Sequence, residues 1–253
     1  MLVDTHCHIF HEYFEDIDVV IERCISNGVG MIIVNGTNRH DNEEVLKLVK
    51  KYDIVYGALG IQPEEITDYT EDNLRFIEEH IDDDKILAIG EIGLDYHYEC
   101  DKNLQRELFK KQLSIAKKHH KPVIVHSRDC IEETYNILKE TGIKGIMHCY
   151  SGSVEMALKF VGLGFLLGIG GVSTFKNANR IVDVIKNISL EYIVLETDAP
   201  YLSPEPYRGK RNEPCNVSVI LKRICEIKCI DYKEASDVTT RNVFRLFDKQ
   251  LEL

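Results

Sequence analysis

Short apolar runs rich in Val, Ile and Leu recur along the whole chain, at residues 2–5, 30–34, 54–59, 86–89, 122–125, 145–147, 165–169 and 193–195. Each has the length of a buried β-strand. The segments between them carry a helical period instead. Ile17, Val20, Ile21, Cys24 and Ile25 fall on one helix face, which Asn27-Gly28 ends. Leu104, Leu108, Phe109, Leu113 and Ala116 line another, with lysines opposite. Buried strands alternating with amphipathic helices predict a parallel sheet.

Eight such units within 253 residues match a single α/β domain over 1–253: a (β/α)8 TIM-type barrel with additional C-terminal helices near 217–229 and 232–247. A doubly wound open sheet is the competing arrangement. No Gly-x-Gly-x-x-Gly follows the first strand, as a dinucleotide-binding open sheet would have it. Gly168, Gly170 and Gly171 read as a tight turn ending the seventh strand, in preference to a close backbone approach to a ligand.

Composition narrows the class. The longest uncharged stretch, 160–175, has sixteen residues with five glycines, too short and too flexible to span a bilayer. The N-terminus lacks a basic segment followed by an apolar run, so no secretory signal is expected, and the protein is read as cytoplasmic. Eight cysteines without a Cys-x-x-Cys pair suit reduced thiols in a core. A net charge of −11 argues against a broad basic face that coats nucleic acid. A phosphate-rich substrate would need a local patch of positive charge.

Candidate chemistry gathers where the apolar runs end. In an extended segment the side-chain period of two places His6 and His8 of VDTHCH on one face and Cys7 on the other. Glu91 follows the fourth run, His126 the fifth, His148 the sixth, and Glu196 and Asp198 the eighth. In a parallel barrel these C-terminal strand ends converge on one mouth. Imidazoles and carboxylates without thiolates suit zinc, manganese, iron or magnesium. Six ligands, His6, His8, Glu91, His126, His148 and Asp198, exceed what one tetrahedral ion takes. They suit two divalent ions, bridged by one carboxylate, that activate water for hydrolysis. Asp198 is the expected proton acceptor. Glu196 is either a second acid/base group or the partner that fixes a histidine tautomer. Cys7 and Cys149 are expected to turn away from the mouth as small core residues.

Together VDTHCH, GEIGLDYHY (90–98), PVIVHSRD (122–129), HCYSG (148–152), ETDAPYLSP (196–204) and RGKRNEP (208–214) resemble the TatD family of metal-dependent hydrolases, within the amidohydrolase-like barrel superfamily. The resemblance covers nearly the whole chain. It implies that His6, His8, Glu91 and Asp198 hold one metal (Mg, Mn or Zn) and that Glu91, His126 and His148 hold the second, with the catalytic Glu91 bridging. It also implies a deoxyribonuclease acting from 3′ ends, or the removal of D-amino acids from mischarged tRNA. The chain departs from the family at Gln62 in GIQPEE, where a histidine is common, which points to an altered substrate contact or proton shuttle.

Arg128, two residues after His126, should face the same mouth. Arg208, Lys210 and Arg211 form a basic cluster in the loop beyond the last strand. Beside a metal centre these four are expected to bind phosphate. So few cations suit DNA ends or short single-stranded nucleic acid rather than a long duplex. No membrane and no obligate protein partner is expected. The competing chemistry is hydrolysis of another ester or an amide, and a binding protein without chemistry would have lost ligands that are all present here.

Overall fold

The computed structural model describes residues 1–248. Eight parallel strands make one sheet in sequential order: β1 (Leu2–Cys7), β2 (Val29–Asn35), β3 (Val55–Leu59), β4 (Ile86–Asp95), β5 (Val123–Arg128), β6 (Gly145–Met147), β7 (Phe165–Ile169) and β8 (Ile193–Leu195). The connecting helices are α1 (Ile17–Ser26), α2 (Arg39–Lys51), α3 (Glu71–His80), α4 (Lys102–Lys118), α5 (Ile131–Leu138), α6 (Val154–Gly162) and α7 (Asn179–Asn187), followed by α8 (Val217–Lys228) and α9 (Tyr232–Leu246). Sequential order, bent round until the last strand meets the first, makes the barrel and excludes the open sheet.

The closing seam is made mostly by the segment just past β8. Cys7 bridges Ala199, the His8 amide donates to the Ala199 carbonyl at 2.6 Å, and the Asp198 amide donates to the His6 carbonyl at 2.9 Å. Buried Asp4 anchors the same seam, accepting from the Thr197 amide at 3.0 Å and its hydroxyl at 2.5 Å. These bonds fix His6, His8 and Asp198 against one another. The β1 ladder shifts register between Asp4 and Cys7, so Val3 packs with the inner cluster while Cys7 joins the layer under the helices.

Inside the barrel Val3, Ile33, Ile124, Ile146 and Val194 fill the lower half, and Val243 of α9 completes the cluster. The hydroxyls of Ser236 and Thr240 donate to the Met1 carbonyl at 2.8 and 2.9 Å, and Asn242 donates to the Ile193 carbonyl at 2.8 Å. The C-terminal helices thus cover the end opposite the mouth, which leaves the mouth for chemistry. Helix starts are set by side-chain caps: Asp16, Asn38, Asp101 and Ser153 each accept from a backbone amide in the first turn, worth about 1 kcal/mol apiece.

The largest departure from the apolar pattern is β4, which runs to Asp95 although its apolar run ends at Ile89. Parallel pairing continues through Gly93 with His126 and Asp95 with Arg128, and Gln105 on α4 accepts from the Asp95 amide at 3.0 Å. Backbone pairing therefore carries polar side chains up into the mouth, where hydropathy no longer marks a strand. Likewise Gly168 lies inside β7, paired with Val194, not in a turn.

Candidate metal centre

The end of β1 and the residue just past it deliver His6 and His8 side by side, their Nε2 atoms 3.1 Å apart. The His8 Nδ1 lies 2.8 Å from the Asn35 carbonyl, an acceptor only, so Nδ1 carries the proton and the Nε2 lone pair points into the mouth. Both Nε2 atoms approach Glu91 Oε2, at 3.5 and 3.6 Å, and Asp198 Oδ1, at 3.7 and 3.6 Å. His148 stacks on His6 with ring centroids 3.5 Å apart and puts its own Nε2 3.7 Å from Asp198 Oδ1. Asp198 reaches this point from a left-handed backbone, φ +58°, which a short polar side chain tolerates better than most.

These groups fit a cation. Two imidazoles and two carboxylates converge on one buried spot, and buried His6 Nδ1, His148 Nδ1 and Glu196 Oε2 have no hydrogen-bond partner among the described residues. The donor atoms of His6, His8 and Asp198, and those of His6, Glu91 and His148, lie within 4.8 Å of one another. His126 stands at the edge of this set. Its Nδ1 is 2.9 Å from Glu91 Oε1 and its Nε2 is 3.0 Å from Asp95 Oδ2.

Electrostatics divides the imidazoles. Burial, together with the neighbouring His148, pushes His6 down to about 4. Burial also acts against charge on His126, but Asp95 and Glu91 overcome it and lift the ring to about 10. His148 rises to about 9 because Glu196 and Asp198 outweigh its burial. Burial would raise both Glu91 and Asp198, yet the histidines hold Glu91 well below the usual carboxylate range and Asp198 below it. The carboxylates are therefore ionised near neutrality, and the site as a whole attracts positive charge.

Asp95 is a member of this site that the strand-end pattern did not single out. The signal was present: Glu91 and Asp95 share a face by the same period of two that paired His6 with His8. Gly168 belongs here as well. A Cβ at Gly168 would lie 2.1 Å from Glu196 Oε2, so the missing side chain makes room for the carboxylate that lies 3.1 Å from His148 Nδ1.

A cavity of about 490 Å³ opens above these groups, walled by Gln62, Glu64, Tyr98, Arg128, Cys149, Tyr201 and Leu202 among others. Arg128 faces it as expected, its guanidinium 5.4 Å from the Tyr98 ring centre. Cys149 does not turn away. β6 ends at Met147, Cys149 adopts φ +43°, and the strand alternation that should have buried it is broken there; its amide donates to Glu196 Oε1 at 2.6 Å. Cys7 is fully buried as expected. Arg208, Lys210 and Arg211 do not line this cavity. Arg208 lies over Phe175 at 4.3 Å, and Arg211 lies over Phe14 at 4.6 Å and donates to the Tyr13 carbonyl. Lys210 and Arg211 border a separate pocket with Arg23, Tyr207 and Glu213.

Comparison with known proteins agrees with this geometry. The family described as TatD related DNase matches residues 3–248. YabD of Bacillus subtilis, described as an uncharacterized metal-dependent hydrolase, is 41% identical, with 98% of this chain and 99% of YabD covered. The crystal structure of YjjV, a TatD homologue from Escherichia coli, superposes with a TM-score of 0.93 at 32% identity, covering 98% of each chain. A TatD family hydrolase from Entamoeba histolytica superposes with a TM-score of 0.85 at 25% identity, again over 98% of each.

Proposed function

Because the chain belongs to the TatD family and is a metal-dependent hydrolase on an amidohydrolase-like barrel, we propose that it is a phosphodiesterase acting on DNA ends or short single-stranded nucleic acid. The observation that carries this reading is the convergence of His6 and His8 Nε2, Glu91 Oε2 and Asp198 Oδ1 beneath a cavity that Arg128 borders.

His6, His8, Glu91 and Asp198 would hold one divalent ion, Mg, Mn or Zn, and Glu91, His126 and His148 a second. Bound ions supply the Lewis-acid charge that activates water and steadies a developing oxyanion. The chain does the rest. Asp198 takes the proton of the attacking water, and its lowered pKa keeps it ionised for that role. Glu196, against His148 Nδ1, fixes which ring nitrogen faces the mouth. Arg128 offers a planar fork of donors to a phosphate in the cavity. The test is release of 3′-terminal nucleotide from end-labelled single-stranded DNA with Mg²⁺ or Mn²⁺. Activity no greater than that of Asp198→Ala would overturn the reading.

A second reading has its own observation. A hollow that His8 borders is lined by Glu12, Asp41, Glu64 and Glu65 with no lysine or arginine among the described residues, which favours an ester that carries an ammonium group, such as an aminoacyl-tRNA. Faster turnover of aminoacyl-tRNA than of DNA ends would select it.

A further inference from the structure

The cations of RGKRNEP stay off the metal cavity, but the asparagine that follows them reaches the backbone on both sides of Asp198. Asn212 is fully buried. Its Nδ2 donates to the Thr197 carbonyl at 2.8 Å and to the Tyr201 carbonyl at 2.7 Å, and its main-chain amide donates to the Pro200 carbonyl at 2.9 Å. Its Oδ1 accepts from the Glu213 amide at 2.9 Å and from Asn216 Nδ2 at 2.8 Å. Every donor and acceptor position of the side chain is therefore committed.

Residues 196–198 lie past β8, outside any strand or helix, so the carbonyls of this turn need partners from elsewhere. The Tyr201 amide donates to the Asp198 carbonyl at 2.7 Å, and the His8 amide serves that of Ala199. The carbonyls of Thr197, Pro200 and Tyr201 are left to Asn212. Asp198 itself stands in left-handed backbone, which persists only where the surrounding structure fixes it. Asp4 and His6 hold the β1 side of the turn, through the Thr197 and Asp198 amides. Asn212 holds the other side.

We infer that Asn212 is a positioning residue for the metal centre: by holding the carbonyls before and after Asp198, it sets where that carboxylate stands against His6 and His8, and so how tightly an ion is held there. This rests on Asp198 as a ligand in the reading above, and not on which bond is cut. The test titrates the metal-stripped full chain with Mn²⁺ by calorimetry. Asn242 supplies the control for mere fold stability, since it is a buried asparagine that donates to the Leu190 and Ile193 carbonyls, both at 2.8 Å, at the opposite end of the barrel. Asn212→Ala should weaken one Mn²⁺ step about 10- to 100-fold, while Asn242→Ala leaves both steps within about twofold of the unaltered chain. In an Asp198→Ala background the change at Asn212 should cost nothing further, because the residue it acts through is gone. If Asn212→Ala does not fold, Asn216→Ala decides in its place: it removes only the donor that orients the Asn212 side chain, and a loss of roughly threefold or more is expected. Unchanged Mn²⁺ affinity, an equal loss in Asn242→Ala, or the same loss with and without Asp198 overturns the role of Asn212, even if DNA ends are cut. Weakened Mn²⁺ binding in a protein that cuts no DNA leaves the role standing and counts against the phosphodiesterase reading alone.

Discussion

The two histidine pairs of the mouth are built from opposite materials. His6 and His8 come from the end of one strand and the residue just past it, and no carboxylate stands behind their Nδ1 atoms: a backbone carbonyl faces His8 Nδ1, and His6 Nδ1 has no hydrogen-bond partner among the described residues. His126 and His148 come from separate strand ends, and each has a carboxylate behind it, Asp95 at 3.0 Å and Glu196 at 3.1 Å. The consequence is charge. Without an ion, His6 is neutral and has a lone pair to give, whereas His126 and His148 hold protons that a cation must displace. Burial works against charge on His8 as well, yet Asp198, Glu91 and the Asn35 carbonyl lift it above the ordinary histidine value, so within the first pair only His6 is lowered; a carboxylate behind a ring makes it more basic.

Glu91 touches both pairs, so its substitution should erase the difference. Glu91→Gln is expected to lower hydrolysis by about 10³-fold or more and to deplete metal from both pairs, as read by turnover and by metal analysis of the purified protein. Retention of full metal content would refute its shared role. Asp95→Asn should act on one side only. Loss of the carboxylate behind His126 is expected to weaken binding of one ion about 10- to 100-fold, so a titration that is biphasic should lose its tighter or weaker step while the other stays.

The charge difference also has a pH signature in metal-stripped protein. His126 and His148 lie above the ordinary histidine value of 6.5, at about 10 and about 9, so the folded chain holds their protons more tightly than the unfolded one. Their stabilisation is complete below about pH 6.5 and is lost as the pH rises through 9 to 10. Thermal melting should therefore fall across that window, and Asp95→Asn should flatten its upper part. The smallest effect belongs to the support of Glu196. Gly168→Ala is expected to destabilise by about 1–3 kcal/mol and to lower the His148 pKa, measured by denaturant unfolding and by NMR titration, with His6 and His8 unaffected.

Much of the site was legible because side-chain period and strand end are local properties. The pairing of His6 with His8, and the placement of Glu91, His126, His148 and Asp198 after apolar runs, follow from alternation and from barrel geometry alone. Asp95 was missed because β4 outlasts its apolar run, and hydropathy is silent where a strand is held by backbone pairing. Cys149 was misplaced because alternation stops with β6. The loop at 208–211 looked close to the metals because it follows the last strand, but packing on Phe14 and Phe175 carries two of its arginines elsewhere.

The sequence by itself determined the eight-fold βα alternation, the family and the set of residues that meet at one mouth, since all of these follow from periodicities and short motifs. Only the tertiary structure decided which histidine is neutral and which is charged, where the basic loop lies, and that Gly168 is empty space reserved for a carboxylate. Those depend on atoms brought within a few ångströms from strands far apart in the chain, where desolvation and Coulomb interactions act through space and leave no mark on local sequence.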